Sequence, residues 1–473
     1  MCKIKFSLRK RLNSDLSNNI RLFMKVFPSM IIFLIFSIVA IFVIYFAAFS
    51  SAEPKCPDCN VILISIDTLR ADHVGFYGYF RNTTPNLDGI ARSSVVFTNV
   101  YSQAAWTLPS HATVFTSLYE SEHNLTTEYS YELNGSITTL AEILKQNNYL
   151  TAGFVDVNLV SSYYGLNKGF GYFDEKAAFE NKFYKEVEIY SGVKRINERA
   201  ENWILQNENS KFFLFLHYYD AHAPYIAPEP YLSYFDPNYK GTLNTSGLDE
   251  GTIQDTITKE PSSNYTADLK RVVAQYDGSI LYVDSEIGNF MTFLQNQGLR
   301  KNTMVVIFSD HGEEFMEHGR IGHSRYLYKN AIHVPVIFSF PSSYHKIIDK
   351  NLGLIDVPTT ILKVLGINQP SQFEGLDMMT SGRNFVYSDY LYLMPHSYSA
   401  INGSLDIIMK WNGVNFSKEV YNLTNDPEEK INIANSFSEA FFEKTFSEFK
   451  IVKSVVLPNA EALRALRTSA YAK

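Results

Sequence analysis

The sequence predicts an α/β protein: a sandwich with a mostly parallel central sheet, a small C-terminal α+β subdomain and an N-terminal transmembrane helix. Three observations predict it. Short β-branched apolar runs end in acids or histidines, at 60–67, 211–217 and 303–310. Segments with a helical apolar period lie between them. One charge-free apolar stretch, 26–52, stands near the N-terminus. Continuous apolar runs of this length suit strands buried on both faces, and their alternation with helices implies a parallel sheet.

The elements follow in chain order. Residues 1–25 carry Lys3, Lys5, Arg9, Lys10, Arg11, Arg21 and Lys25 against Asp15 alone, which marks a basic cytoplasmic tail. Val26–Ala52 is long enough, at about 1.5 Å per residue, to cross a hydrocarbon core of roughly 30 Å. It exceeds the roughly 7–15 apolar residues of a secretory signal, so an uncleaved single-pass anchor is expected. Ser50-Ser51-Ala52 leaves cleavage as the alternative. Everything beyond Glu53 is then expected outside the cytoplasm, tethered to the cell membrane. Sequons such as those at Asn82, Asn134 and Asn402 agree with export, although polar surfaces produce them by chance. Residues 53–59 form a stalk, where Cys56-Pro57-Asp58-Cys59 suits a local disulfide or has no function.

Residues 60–377 form the main domain. Asn60–Asp67 opens it as a strand, Ile137–Asn148 reads as a helix, and a short strand follows near Leu150–Val155. Lys211–His217 is the second buried run. Residues 236–263, rich in Asn, Thr, Gly and Ser, read as an irregular surface insertion. A stripe from Leu269 through Tyr276, Val283 and Phe290 to Leu294 makes Ala267–Gln297 a long helix, stopped by Gly298. Thr303–Asp310 is the third run. Beyond Met378 the pattern changes to short strands and a final helix, a C-terminal subdomain over 378–473. The net charge is −7 and no long basic run follows residue 25, which argues against nucleic acid as a partner. No cysteine lies beyond Cys59, which excludes thiol catalysis in the main domain.

Chemistry gathers at the strand ends. In an open α/β sheet, ligands collect beyond the carboxyl ends of the strands. Those ends carry Asp67, then His217, Asp220 and His222, then Asp310 and His311. Any one of them alone is an ordinary turn residue or helix cap. Together they offer the carboxylate oxygens and imidazole nitrogens of a divalent-cation site. A second constellation is Trp106-Thr107-Leu108-Pro109-Ser110-His111, ahead of an apolar-periodic helix. Thr107 and Pro109 have a plain structural reading as an N-terminal cap region and a first-turn proline. The same place also suits a tetrahedral anion, and a hydroxyl there that touches a metal becomes a nucleophile.

These motifs resemble the sulfatases of the alkaline phosphatase superfamily. Thr107-Leu108-Pro109-Ser110-His111 is similar to their Cys- or Ser-x-Pro-Ser-Arg helix start. Ile66-Asp67-Thr68-Leu69-Arg70-Ala71-Asp72 looks like their first metal motif, and Thr84-Pro85-Asn86-Leu87-Asp88 follows as it does there. His217-Tyr218-Tyr219-Asp220-Ala221-His222 resembles their central histidine motif. Ser309-Asp310-His311-Gly312-Glu313-Glu314-Phe315, with Gly322-His323 downstream, resembles the second metal motif. Tyr421-Asn422-Leu423-Thr424-Asn425-Asp426-Pro427 matches the C-terminal signature.

The resemblance implies an alkaline-phosphatase-like fold and one divalent cation (Ca, Mg, Mn or Zn) on Asp67, Asp310, His311 and Thr107. It implies Thr107 as nucleophile, His111 in place of the motif arginine, and His222 and His323 at the leaving group. Thr107 departs from the family: threonine is not converted to formylglycine, so none is expected. Thr68 stands where many sulfatases have a second acid. A second metal on His217, Asp220 and His318 is an open alternative. The implied activity is hydrolysis of sulfate or phosphate esters on a small molecule, glycan or lipid; the chemistry of Thr107, whose ester needs a second attack, leads us to expect phosphate esters to be preferred although the sequence looks most like sulfatases. A phosphoglycerol- or phosphoethanolamine-type transferase and a non-catalytic glycan-binding protein are the alternatives.

Overall fold

The computed structural model describes residues 36–39, 54–130, 132–180, 192–245, 247–259, 262–447 and 449. Apart from the helical turn at 36–39, the expected anchor lies outside the described residues. Among the described residues, no helix is long and apolar enough to cross a membrane. The described residues from Lys55 onward pack as one compact unit. At its start Cys56 and Cys59 form the local disulfide.

The central sheet has eight strands. They are β1 (Asn60–Ile66), β2 (Val95–Tyr101), β3 (Leu150–Phe154), β4 (Tyr172–Asp174), β5 (Phe212–Tyr218), β6 (Thr303–Ser309), β9 (Val336–Ser339) and β10 (Lys346–Gly353). A short hairpin, β7 (Glu314–Phe315) and β8 (Ile321–Gly322), stands apart from it. The order is β10-β2-β9-β6-β1-β5-β3-β4, and only β9 runs antiparallel to its neighbours. The three apolar runs of the sequence are thus the three central neighbours, β6, β1 and β5.

Alternation explains why these runs had to be apolar throughout. Side chains of a strand point to opposite faces in turn. Val61, Leu63, Phe213, Phe215, Val306 and Phe308 enter one core, which includes Leu108, Ala112 and Phe115 of the helix Thr107–Thr116. Ile62, Ile64, Leu214, Leu216, Val305 and Ile307 enter the other, under the helices Gly192–Asn207 and Ser262–Asn296. The result is the expected sandwich, with helices on both faces.

Local differences have local causes. The helix expected over Ile137–Asn148 spans Leu140–Gln146. Its start is set by a capping box, in which Thr139 Oγ1 accepts from the Glu142 N–H at 3.2 Å and Glu142 Oε2 accepts from the Thr139 N–H at 3.0 Å. The insertion expected to be irregular contains a helix, Glu250–Lys259. Asp249 caps it by accepting from the Thr252 N–H at 2.7 Å, and Ile253 and Ile257, one turn apart, are its buried face.

The C-terminal part is a four-stranded antiparallel sheet, β11 (Val386–Tyr390), β12 (His396–Ile401), β13 (Leu405–Trp411) and β14 (Phe416–Asn422), closed by the helix Glu439–Thr445. It braces the loop that leads to Thr107. Asp389 N–H donates to the Gln103 carbonyl at 2.9 Å and Ser388 Oγ to the Ser102 carbonyl at 2.6 Å.

Candidate active site

Because β6, β1 and β5 are neighbours, their carboxyl ends bring Asp310, Asp67 and His217 to one point. Asp67 and Asp310 follow β1 and β6 directly, and both are fully buried. His311 Nε2 lies 3.6 Å from Asp67 Oδ1 and 3.4 Å from Asp310 Oδ2. His217 Nε2 lies 3.2 Å from Asp67 Oδ2. His311 Nδ1–H donates to the Gly312 carbonyl at 2.9 Å, which turns the Nε2 lone pair toward the two carboxylates. Asp310 Oδ1 is held by the backbone N–H of His311 at 2.9 Å and of Thr68 at 3.3 Å.

Both Asp67 oxygens and Asp310 Oδ2 are buried without a hydrogen-bond partner. Buried carboxylates in that state are strongly unfavourable unless a cation neutralises them. Burial and the Asp67 charge push the Asp310 carboxyl well above the usual range. Burial alone would also raise Asp67; the imidazoles around it, His217 first, outweigh burial and hold it low. Burial keeps His311 neutral, the form that ligates metal. One donor atom each from Asp67, Asp310 and His311 lies within 4.8 Å of the others, so the set fits a single divalent cation.

Thr107 is the first residue of its buried ten-residue helix, not the residue before it. Its Oγ1 lies 3.3 Å from His311 Nε2, beside the Asp67–Asp310–His311 set. His111, one turn further on, is fully buried. Its Nδ1–H donates to the Thr107 carbonyl at 2.7 Å, and Nε2 accepts from Ser65 Oγ at 2.9 Å. Burial, then the His217 imidazole, pushes it down to about 3. His111 is therefore a neutral brace that pins the start of the helix to β1, rather than a cation like the motif arginine.

An outer rim faces this cluster. The His323 ring sits 4.4 Å from that of His311 and 5.0 Å from that of His222. His323 Nδ1–H donates to Glu313 Oε1 at 3.0 Å. Burial alone would lower His323; the charges of Glu313, Glu250 and Asp67 outweigh it and push it up to about 9. His222 Nε2 lies 3.3 Å from Glu250 Oε1, and His222 Nδ1–H donates to the Ala223 carbonyl at 2.8 Å. Glu313 also accepts from Tyr225 Oη at 2.9 Å, and its backbone carbonyl accepts from Arg70 at 3.0 Å.

The sulfatase family profile matches residues 59–367. The chain belongs to the sulfatase family. It is 25% identical over 454 residues to an arylsulfatase of Clostridium perfringens, covering 80% of this chain and 90% of that one. It is 24% identical to an N-acetylglucosamine-6-O-sulfatase of Bacteroides thetaiotaomicron, covering 84% and 85%. Among solved structures it resembles one determined in complex with its substrate D-glucosamine-2-N,6-O-disulfate, with TM-score 0.66, 20% identity and coverage of 87% and 98%. It also resembles a phosphonate monoester hydrolase of Agrobacterium radiobacter, with TM-score 0.65, 18% identity and coverage of 87% and 97%. The fold is thus alkaline-phosphatase-like, and the protein is an enzyme, a sulfatase-family ester hydrolase. The non-catalytic alternative gives way to this.

In this sulfatase-family site, the residues singled out from the sequence, Asp67, Thr107, His111, His222, Asp310, His311 and His323, all come together. The second metal set does not. His217 faces Asp67, Asp220 accepts from the Val193 N–H at 2.8 Å, and His318 turns to Glu314 at 2.6 Å and stacks on Tyr328. The donors that meet besides Asp67, Asp310 and His311 are His111, His217 and Asp310, and His222, Glu250 and His323. Sequence reasoning missed Ser65, Glu250 and Glu313 as site residues. Glu250 was recoverable from the Asp249 cap and the Ile253–Ile257 spacing.

Proposed function

We propose that this enzyme cleaves a sulfate or phosphate ester through Thr107, at a site charged with one divalent cation, outside the cytoplasm on a membrane tether. The observation that carries the reading is the Thr107 hydroxyl at a helix start, 3.3 Å from His311 Nε2, beside three unpartnered carboxylate oxygens. Asp67, Asp310 and His311 would hold the cation, which when bound supplies positive charge to the ester and favours an ionised hydroxyl. Thr107 attacks sulfur or phosphorus in line as the bond to the leaving oxygen breaks. The first turn of the helix leaves N–H groups free for the transferring oxygens. His323, kept protonated by Glu313, donates its proton to the leaving oxygen, with His222 beside it. Water then attacks the Thr107 ester, releasing the inorganic anion and restoring the hydroxyl.

A parallel assay of nitrophenyl sulfate, phosphate and phosphodiester, with the purified full chain and several metals, tests this. Thr107→Ala is expected to lower the main activity by at least about a thousandfold while keeping bound metal. Equal rates in Thr107→Ala and the wild type would remove the nucleophile. Phosphate ester cleavage is expected to exceed sulfate ester cleavage in kcat/KM, because a threonine ester needs a second attack at the central atom. For the tether, an impermeant label on intact cells is expected to reach lysines beyond Lys55; labelling only after lysis would reverse the orientation.

A further inference from the structure

A cleft of about 250 Å³ opens beside His323, between the β7–β8 hairpin with its following loop and the end of β11. Arg320, Arg325, Tyr326, Tyr390 and Tyr392 line it together with His323. The two arginines differ from several others in the chain. Arg70, Arg81, Arg199 and Arg383 each neutralise a carboxylate. Among the described residues, Arg320 and Arg325 make no ion pair; Arg320 lies over the Tyr326 ring at 4.8 Å. The one acid in the wall, Glu314, is buried and already engaged by His318 at 2.6 Å. The cleft therefore presents two uncompensated guanidinium groups among tyrosine rings.

Its place says what enters it. His323 is shared between the cleft and the metal cluster, and Trp106, the residue before Thr107, stacks on Tyr392 with ring centroids 5.8 Å apart. A group in the cleft lies on the side of the acid, which is the side of the leaving oxygen. The volume falls just below the roughly 300–1,000 Å³ of most ligand sites, which selects one ring rather than a chain. Tyrosines offer flat amphipathic faces to a ring, and guanidinium forks match oxyanions with several acceptor oxygens.

We propose that this cleft is an anion-reading leaving-group subsite: it takes a single sugar ring that bears a second sulfate-like oxyanion, and Arg325 and Arg320 pair with that group. The proposal rests on the reading of His323 as the acid for the leaving oxygen.

The test compares kcat/KM for D-glucosamine-2-N,6-O-disulfate, D-glucosamine 6-sulfate and nitrophenyl sulfate in wild type, Arg325→Ala, Arg320→Ala and Arg325→Lys. The wild type is expected to prefer the disulfate to the monosulfate by about tenfold or more. Arg325→Ala is expected to lower the ratio of disulfate to nitrophenyl turnover by about tenfold, through KM, and Arg325→Lys to restore part of it. No preference in the wild type, or an equal fall on all three substrates in both alanine variants, would overturn the subsite. Should the wild type cleave no ester at all, the catalytic reading fails by itself; should it cleave phosphate esters alone, only the sulfate half of that reading fails. The subsite is then judged by calorimetry with the disulfate alone: binding lost in Arg325→Ala supports it, and no binding to the wild type overturns it.

Discussion

The inner cluster and the outer rim of the site hold their charges in opposite ways. In the cluster, Asp67 and Asp310 converge with three oxygens that no donor meets. In the rim, each carboxylate has its histidine: Glu313 meets His323 at 3.0 Å and Glu250 meets His222 at 3.3 Å. The cluster sets two carboxylates against a histidine held neutral, His311, with His217 beside Asp67 alone, whereas the rim gives each carboxylate a histidine of its own. One is shaped to receive a cation, the other to keep a proton. The cluster is fully buried and the rim only partly, so the two differ in depth as well as in partners.

The comparison breaks most sharply at Asp310. Asp310→Asn is expected to abolish bound metal and to lower kcat/KM by roughly a thousandfold or more. Its effect on stability has the opposite sign in the absence of metal. Asp310 is pushed up by burial and by Asp67, so in the folded chain its ionisation opposes folding above the usual carboxylate range. In excess chelator at neutral pH, the melting temperature of Asp310→Asn is expected to exceed that of the wild type; with metal added the order reverses. Metal content by elemental analysis and paired melting curves check this. A variant that melts lower than the wild type in chelator would show that the carboxylates are not under mutual strain.

Legibility in the sequence follows this division only in part, since His222 and His323 of the rim were also singled out by the resemblance. The cluster was readable because it sits on the sheet. Three apolar runs each delivered a polar residue to a strand end, and neighbouring strands were bound to bring those ends together. The carboxylates of the rim lie further from the strand ends. Glu250 arrives on a helix inside a stretch whose Asn, Thr and Ser content hides two buried isoleucines. Ser65 was hidden inside an apolar strand, where only the packing of His111 against β1 reveals its use. The sign of His111 was also unreadable. A histidine at the motif arginine position suggests a cation, but full burial and the neighbouring His217 imidazole make it neutral.

Glu313 tests the other half of the comparison. Its carboxylate helps push His323 up to about 9, so the acid remains protonated until the pH rises through that value. Glu313→Gln is expected to move the alkaline limb of the kcat/KM profile to lower pH, and to lower the rate at pH 8 by about tenfold or more. The linkage has a definite sign. His323 lies above its unfolded value of about 6.5, so the pairing contributes stability fully below that pH and loses it as pH rises through about 9. Denaturant melts of the variant are therefore expected to show their deficit at pH 6 and little deficit at pH 10. A deficit that persists at pH 10 would assign Glu313 a packing role through Tyr225 and Arg70 instead.

Glu250 is the smallest effect and the most informative about the insertion. It is partly exposed and meets His222 at 3.3 Å, the longer of the two rim contacts. A pair of that kind contributes little to stability, and its loss is expected to change kcat/KM by no more than about fivefold. The helix that carries it is anchored by other groups. Ile253 and Ile257 are buried, and Gln254 Oε1 accepts from the Ile321 N–H of β8 at 3.0 Å. Glu250→Ala should therefore leave the helix docked and free only His222. Gln254→Ala should loosen the helix on β8 while leaving the Glu250 charge in the chain. If the rim works as a proton-keeping unit, Glu250→Ala shifts the pH profile and Gln254→Ala shifts mainly KM, through the cleft that Gln254 also lines. The two variants giving the same profile would mean that the insertion acts as a single lid, and that the His222–Glu250 contact has no separate part in the chemistry.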